Sequence, residues 1–271
     1  MRQFVVLFAL ALASASANLI PKPGFPEGRI INGYEAEKGE APFILSLQSS
    51  SGSHFCGGTL IDPRTVLTAA HCLTNAKGRI VAGAHDWTST EDVQMRDFTS
   101  AQYRIHEDYS GGVGPNDIGL ILLPEKDAFN LNAVSRDGSN PVSAVNLPSM
   151  AFEGTGDGIL YGWGRDNSGL LPKKLQKLEA TIIDATRCAA ALPSNSPLAK
   201  SNVCVHTAGK ADGACNGDSG GPLVTKSESG ATQQVGIVSW GYTPCATTTY
   251  PSVFTDVEQH RFWIEKNRYS D

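Results

Sequence analysis

Three short stretches of this 271-residue sequence carry side chains that could do chemistry together. Thr68-Ala69-Ala70-His71-Cys72 sets a histidine beside a cysteine, and Asn116-Asp117-Ile118-Gly119-Leu120 sets a carboxylate at the head of an apolar run. Gly217-Asp218-Ser219-Gly220-Gly221-Pro222 sets a serine among glycines. A serine hydroxyl is a weak nucleophile until a base takes its proton, and histidine does so near neutral pH. A carboxylate on the far side of the imidazole fixes its tautomer and steadies the charge it acquires. Glycines beside the serine let the chain turn sharply and bring its N–H groups close to a developing oxyanion. His71 as base, Asp117 as orienting group and Ser219 as nucleophile therefore form a candidate set for acyl transfer. The run Ile118 to Leu123 would bury Asp117, which suits an orienting role. The other histidines, His54, His85, His106, His206 and His260, are read as surface or structural residues.

Residues this far apart need a scaffold that folds distant segments together. The apolar runs are short and split by turn residues: Phe43 to Leu47, Gly58 to Ile61, Ile118 to Leu123, Gly158 to Tyr161 and Val235 to Ser239. Many short strands with frequent Gly and Pro predict an all-β fold of sandwich or barrel type. Only the tail reads as helical, with Asp256 as its cap, Gln259 three residues on, and Phe262, Trp263 and Ile264 following. A weakly patterned segment, Asn132 to Val145, divides two similar halves.

Ahead of the strands, Arg2, the apolar run Phe4 to Leu12 and Ala15-Ser16-Ala17 predict a signal peptide over residues 1–17. Residues 18–29 hold Pro21, Pro23, Gly24, Pro26 and Gly28 and read as an extended pro-segment ending at Arg29. No later segment offers about 18 unbroken apolar residues, so no membrane span is expected. A net charge of −5 argues against nucleic acid as a partner. Six cysteines behind a secretory signal predict three disulfides, with the connectivity left open. There is no Cys-x-x-Cys pair to suggest zinc, and no Asn-x-Ser/Thr acceptor for N-glycosylation.

These motifs resemble the chymotrypsin/trypsin family of serine peptidases, in its insect midgut form, across residues 30–271. The order His71, Asp117, Ser219 matches that family and not the subtilisin or α/β-hydrolase orders. The resemblance implies two antiparallel six-stranded β-barrels with a C-terminal helix, the first over about 30–145 and the second over about 146–271. The site would lie in the crevice between them. It also implies activation by cleavage after Arg29. The new α-amino group of Ile30 would then pair with Asp218, because either charge buried alone is costly. That pairing would set the N–H groups of Gly217 and Ser219 as the oxyanion hole. Disulfides are implied between Cys56 and Cys72, Cys188 and Cys204, and Cys215 and Cys245. Ser239-Trp240-Gly241 matches the segment that pairs with an extended substrate.

Gly213, Ala214, Gly241 and Ser252 fall where the family builds its specificity pocket. Trypsin-like members carry Asp at the place of Gly213. A roomy neutral pocket suits Phe, Tyr, Leu or Met and rejects an unpaired Arg or Lys. Asp212, one residue earlier, leaves trypsin-like specificity as an alternative. The family's calcium loop would fall at Ala84 to Glu91, which lacks the carboxylates expected at its start, so neither metal nor cofactor is expected. The expected partners are protein or peptide substrates, proteinaceous inhibitors and a separate trypsin-like activating protease. The chain reads as a secreted monomer of the gut lumen. Gly112 to Asp117 and Gly213 to Asn216 further resemble a sugar-binding member of the family. Saccharides are thus an alternative partner, with Trp87 or Tyr242 as exposed rings for stacking.

Overall fold

The computed structural model describes residues 30–148, 152–166, 168–206, 210–245 and 247–269. The expected signal peptide and pro-segment lie outside them. The first half folds as strands β1 (Tyr34–Glu35), β2 (Ile44–Gln48), β3 (His54–Asp62), β4 (Thr65–Thr68), β5 (Lys77–Ala82), β6 (Gln94–Thr99), β7 (Tyr103–Ile105) and β8 (Gly119–Leu122). The second half supplies β9 (Gly156–Gly162), β10 (Gln176–Ile183), β11 (Asn202–Val205), β12 (Pro222–Lys226), β13 (Thr232–Trp240) and β14 (Ser252–Asp256). Two helices, α1 (Ala185–Ala191) and α2 (Arg261–Asn267), complete the elements.

The fold is all-β and trypsin-like, as the sequence predicts, with one barrel closed and the other half open. Strands β9, β10, β11, β14, β13 and β12 pair in sequence, and β9 pairs with both β10 and β12, which closes a six-stranded barrel. The short β1 adds to β10 from outside. The first sheet runs β6-β5-β2-β3-β4-β8-β7 and stays open. Its two edges still meet at one corner. Only the turn Ser100–Gln102 separates β6 from β7, so the chain can span no more than roughly 15 Å there. The sheet must curl to satisfy that connection.

Each curled sheet wraps its own core. Leu45, Leu47, Leu60, Leu67, Ile80 and Leu120 fill the first, all without solvent exposure. Ile30, Leu160, Leu178, Val203, Leu223 and Phe254 fill the second. Strands β2, β4 and β8 are buried along their whole length. Both faces of these strands are covered; β8 accordingly reads as a continuous apolar run, while β2 and β4 also bury polar Ser46, Gln48, Thr65 and Thr68. The segment between β8 and β9 carries no strand among its described residues. Three disulfides brace the fold: Cys56–Cys72 ties the turn Ala70–Cys72 to β3, Cys188–Cys204 ties α1 to β11, and Cys215–Cys245 joins two loops. Each contributes about 2–5 kcal/mol in a domain of this kind.

The helices depart from the sequence expectation in two ways. Asp256 does not cap α2: its carboxylate accepts from Glu258 N at 2.9 Å and Gln259 N at 3.3 Å, holding the turn before the helix, and His260 is the residue at the helix start. Helix α1 was not expected. Asp184 caps it by accepting from Arg187 N at 2.8 Å, and the disulfide at Cys188 anchors it to β11. Both helices are seven residues long, too short to impose a clear helical period on the sequence.

Candidate active site

Strand register brings the candidate residues together. Strand β4 pairs with β8 in antiparallel register, with Thr68 opposite Gly119. The chain leaving β4 and the chain entering β8 therefore meet at the same end of the ladder. His71 lies just beyond Thr68 in the turn Ala70–Cys72, which the Cys56–Cys72 disulfide ties back to β3. Asp117 lies two residues ahead of Gly119 and is 1% exposed.

The Asp117 carboxylate is held from three sides. Oδ1 accepts from His71 N at 2.9 Å, and Oδ2 lies 2.7 Å from His71 Nδ1. Ser239 Oγ donates to Oδ2 at 2.6 Å from the second barrel. Thr255 Oγ1 also donates to the Asp117 carbonyl at 2.9 Å. An ionised carboxylate can only accept, so the His71 proton sits on Nδ1 and Nε2 keeps a free lone pair. That is the tautomer of a general base.

Ser219 sits in a tight turn ahead of β12. Asp218 N donates to Cys215 O at 2.9 Å, Gly221 N to Asp218 O at 2.8 Å, and Gly220 N to Val238 O at 2.9 Å. Gly57 N, from the first sheet, donates to Ser219 O at 2.8 Å. Gly217 has φ of 102°, in the region that favours glycine. Among the described residues neither Gly217 N nor Ser219 N has an acceptor within the protein. Buried His54 fixes the next peptide: its Nε2 lies 2.9 Å from Gly217 O, and its Nδ1 lies 2.8 Å from Ser46 Oγ. Burial pushes the His54 pKa down to about 4, so the ring is neutral, with Nε2–H donating and Nδ1 accepting.

His71 and Ser219 line one cleft of about 340 Å3, whose walls include Ala214, Ser239, Trp240 and Gly241. A larger hollow of about 860 Å3 lies elsewhere, between Glu40, Phe43, Tyr161 and Val224. It holds no nucleophile–base pair, so chemistry places the site in the smaller cleft. At the cleft, Ala214 N donates to Ser252 Oγ at 3.0 Å, and a side chain on Gly213 would collide with that hydroxyl. Gly213 also bridges to Ile31. A Cβ on Gly241 would meet nothing within 4 Å, so this wall is open. Cys245, paired with Cys215, braces the same region.

Ile30 and Asp218 are both fully buried. Gly164 N donates to Asp218 Oδ1 at 2.8 Å, and Cys215 N donates to Oδ2 at 2.9 Å. Side chains on Gly162 or Gly164 would collide with the carboxylate, so these two glycines form its cradle. Burial pushes the Asp218 pKa up to about 7 against the pull of its two backbone donors.

Several of these partners were not visible in the sequence. Ser239 was assigned to substrate, yet its hydroxyl binds Asp117, 122 positions away. His54 and the Gly162–Gly164 cradle carry no local motif. Trp87 was expected to be exposed. Instead it is half-buried against the first core, and its Nε1 donates to Pro172 O at 2.9 Å. Tyr242 is exposed and stands 5.0 Å from the Tyr250 ring.

The Asp218 environment sets a pH dependence for the uncut chain, where the residue 30 nitrogen is an amide. The folded pKa of about 7 lies above the ordinary 3.8, so the native state holds a proton that the unfolded state releases. That stability is fully present below about pH 4 and is lost as pH rises through about 7. Melting temperatures of an uncut Ser219→Ala chain, measured from pH 4 to 8, should fall more steeply with pH than those of the same chain carrying Asp218→Asn. Identical slopes would refute the assignment.

The family model described as Trypsin matches residues 30–264. The chain is 55% identical to Lectizyme of Glossina austeni over 267 residues, covering 97% of this chain and 96% of that protein. It is 34% identical to Trypsin beta of Drosophila erecta, covering 98% and 100%, and 34% identical to Trypsin alpha-4 of Lucilia cuprina, covering 97% of each. With the fold and the cleft described above, these matches establish that the chain belongs to the trypsin family and is a serine endopeptidase.

Proposed function

We propose that the chain is a secreted precursor, with residues 1–17 as signal peptide and 18–29 as pro-segment, that becomes active on cleavage after Arg29. The observation that carries the catalytic part is the buried Asp117 carboxylate on His71 Nδ1, in a cleft shared with Ser219. The roles follow the template worked out on this same family. Ser219 Oγ attacks the scissile carbonyl while His71 Nε2 takes its proton. The N–H groups of Gly217 and Ser219 receive the oxyanion. His71 then gives its proton to the leaving amine, and water cleaves the acyl-enzyme by the reverse route. Asp117 steadies the imidazolium through both halves. Ser239, Trp240 and Gly241 line the cleft as an edge for an extended substrate.

Activation follows from charge. The free Ile30 ammonium would supply the cation that buried Asp218 lacks in the uncut chain, and the paired carboxylate would hold the Gly217–Ser219 turn. The activated enzyme should lose on the order of 10⁶-fold in kcat on Ser219→Ala, with its fold retained. Its active form should begin at Ile30 by N-terminal sequencing. Comparable turnover by the variant would sink the nucleophile assignment, and a different N-terminus would sink the ion pair.

The pocket reading is chymotrypsin-like. Gly213, Ala214 and Ser252 present no formal charge, and burying an unpaired guanidinium costs several kcal/mol. Peptides with Phe, Tyr or Leu before the cut should therefore show higher kcat/KM than otherwise identical Arg peptides. Pure precursor should not cleave itself, so a separate trypsin-like protease would activate it. Faster cleavage of Arg peptides would point to Asp212 and trypsin-like specificity, and Asp212→Asn should then abolish the preference.

A second reading rests on the 55% identity to a protein named Lectizyme, together with the exposed Tyr242 and Tyr250 rings. On that reading the chain also binds saccharides. The Ser219→Ala protein should then be retained on immobilised sugars and eluted by free sugar, and failure on a broad sugar panel would remove the reading. Secretion into a gut lumen fits a digestive role under either reading.

A further inference from the structure

Asn116 stands immediately ahead of Asp117 with φ of 58°, in the left-handed region. Asparagine tolerates this region better than most side chains, but its conformation still needs support from its surroundings. Ile118 N donates to Asn116 O at 2.8 Å, tightening the chain around Asp117. The Asn116 side chain reaches the second half of the molecule, where its Oδ1 lies 3.1 Å from His260 Nε2.

His260 is 4% exposed. Its Nδ1 lies 2.7 Å from the Asp256 carbonyl, which can only accept, so Nδ1 carries a proton. The ring packs edge-on to His106 with centroids 5.4 Å apart, and His106 in turn stacks on Trp263. Burial holds the His260 pKa below its ordinary value, so the ring is neutral. With Nδ1–H committed to Asp256 O, the neutral ring accepts at Nε2, and a half-turn of the Asn116 amide brings Nδ2 there in place of Oδ1. As placed, Nδ2 instead approaches Asp108 O at 3.5 Å, at the limit of a hydrogen bond.

We propose that His260 is a positioning residue for the reaction: by holding the Asn116 side-chain amide at Nε2 it pins the left-handed residue that aims Asp117 at His71. The proposal rests on Asp117 being the orienting carboxylate. His260 also has a plain structural position, since its backbone carbonyl receives Ile264 N at the start of α2. A test must separate the two roles.

Isosteric substitutions do so. In His260→Gln the terminal amide can occupy the place of Nε2 and keep a partner for Asn116. In His260→Asn the amide can replace only Nδ1 and keep only the bond to Asp256 O. Measured on activated enzyme with one peptide substrate, His260→Asn should lower kcat by about tenfold to a hundredfold at unchanged KM. His260→Gln should stay near the parent. The reverse order, or equal loss in both, would overturn the proposal in favour of a structural role. Should either variant fail to fold, Asn116→Gly decides the matter: glycine accepts the positive φ and removes only the amide. It should lose kcat to a similar degree, and parental kcat would overturn the proposal. An Asp117→Asn control keeps the two readings apart. A loss of about 10⁴-fold, the scale known for this family, supports the orienting carboxylate. If that control is active, the assignment of Asp117 fails. If it is inactive while Asn116→Gly is unaffected, only the His260 proposal fails.

Discussion

A carboxylate that is 1% exposed cannot stay charged in a protein interior unless donors surround it, and at Asp117 the donors come from both halves of the chain. His71 supplies its backbone N–H and its ring from the first sheet, and Ser239 supplies a hydroxyl from the second. Thr255 holds the carbonyl of the same residue. These bonds tie the two curled sheets together at this one residue. Gly57 N on Ser219 O adds a backbone tie across the same seam. Base, nucleophile and substrate edge then fall into one cleft as a consequence of how the sheets dock.

The molecule buries a second carboxylate by different means. Asp117 receives the His71 backbone N–H together with two side-chain partners, which can be tuned by substitution. Asp218 receives two backbone N–H groups and a cradle of glycines that leaves no room for any side chain. Two backbone donors do not offset the burial, and the Asp218 pKa rises to about 7. The two acids share a type and a degree of burial, yet only the first has side-chain donors among its partners.

What the sequence disclosed tracks the range of each interaction. The runs at Phe43, Gly58, Ile118, Gly158 and Val235 each overlap a strand because strand burial favours short apolar stretches. His71, Asp117 and Ser219 were legible because each sits in a local motif with a chemical reason for its neighbours. Closure of the second barrel came from the family resemblance and not from any local pattern, since pairing between β9 and β10 depends on register, and the open state of the first was not expected. Ser239, His54, Gly162 and His260 were hidden for a related reason: each acts across more than 50 positions of chain, through one atom. Helix α1 is an alanine-rich turn fixed by a cap and a disulfide, and neither imposes a period on the sequence.

The open first sheet leaves two strand edges, and such edges template association between molecules. Strand β6 is guarded by side chains instead of by a further strand. Gln94 and Asn130 exchange amide bonds at 2.8 Å in both directions, and the Arg96 guanidinium binds the carbonyls of Asp127 and Ala128, also at 2.8 Å. The segment 127–130 thereby clasps the edge without adding to the ladder. Strand β7, at the other edge, is only three residues long and presents Arg104 to solvent. Loose strands of other chains readily add to such an edge. By closing one barrel and clasping the other, this fold leaves a loose strand little ladder to extend.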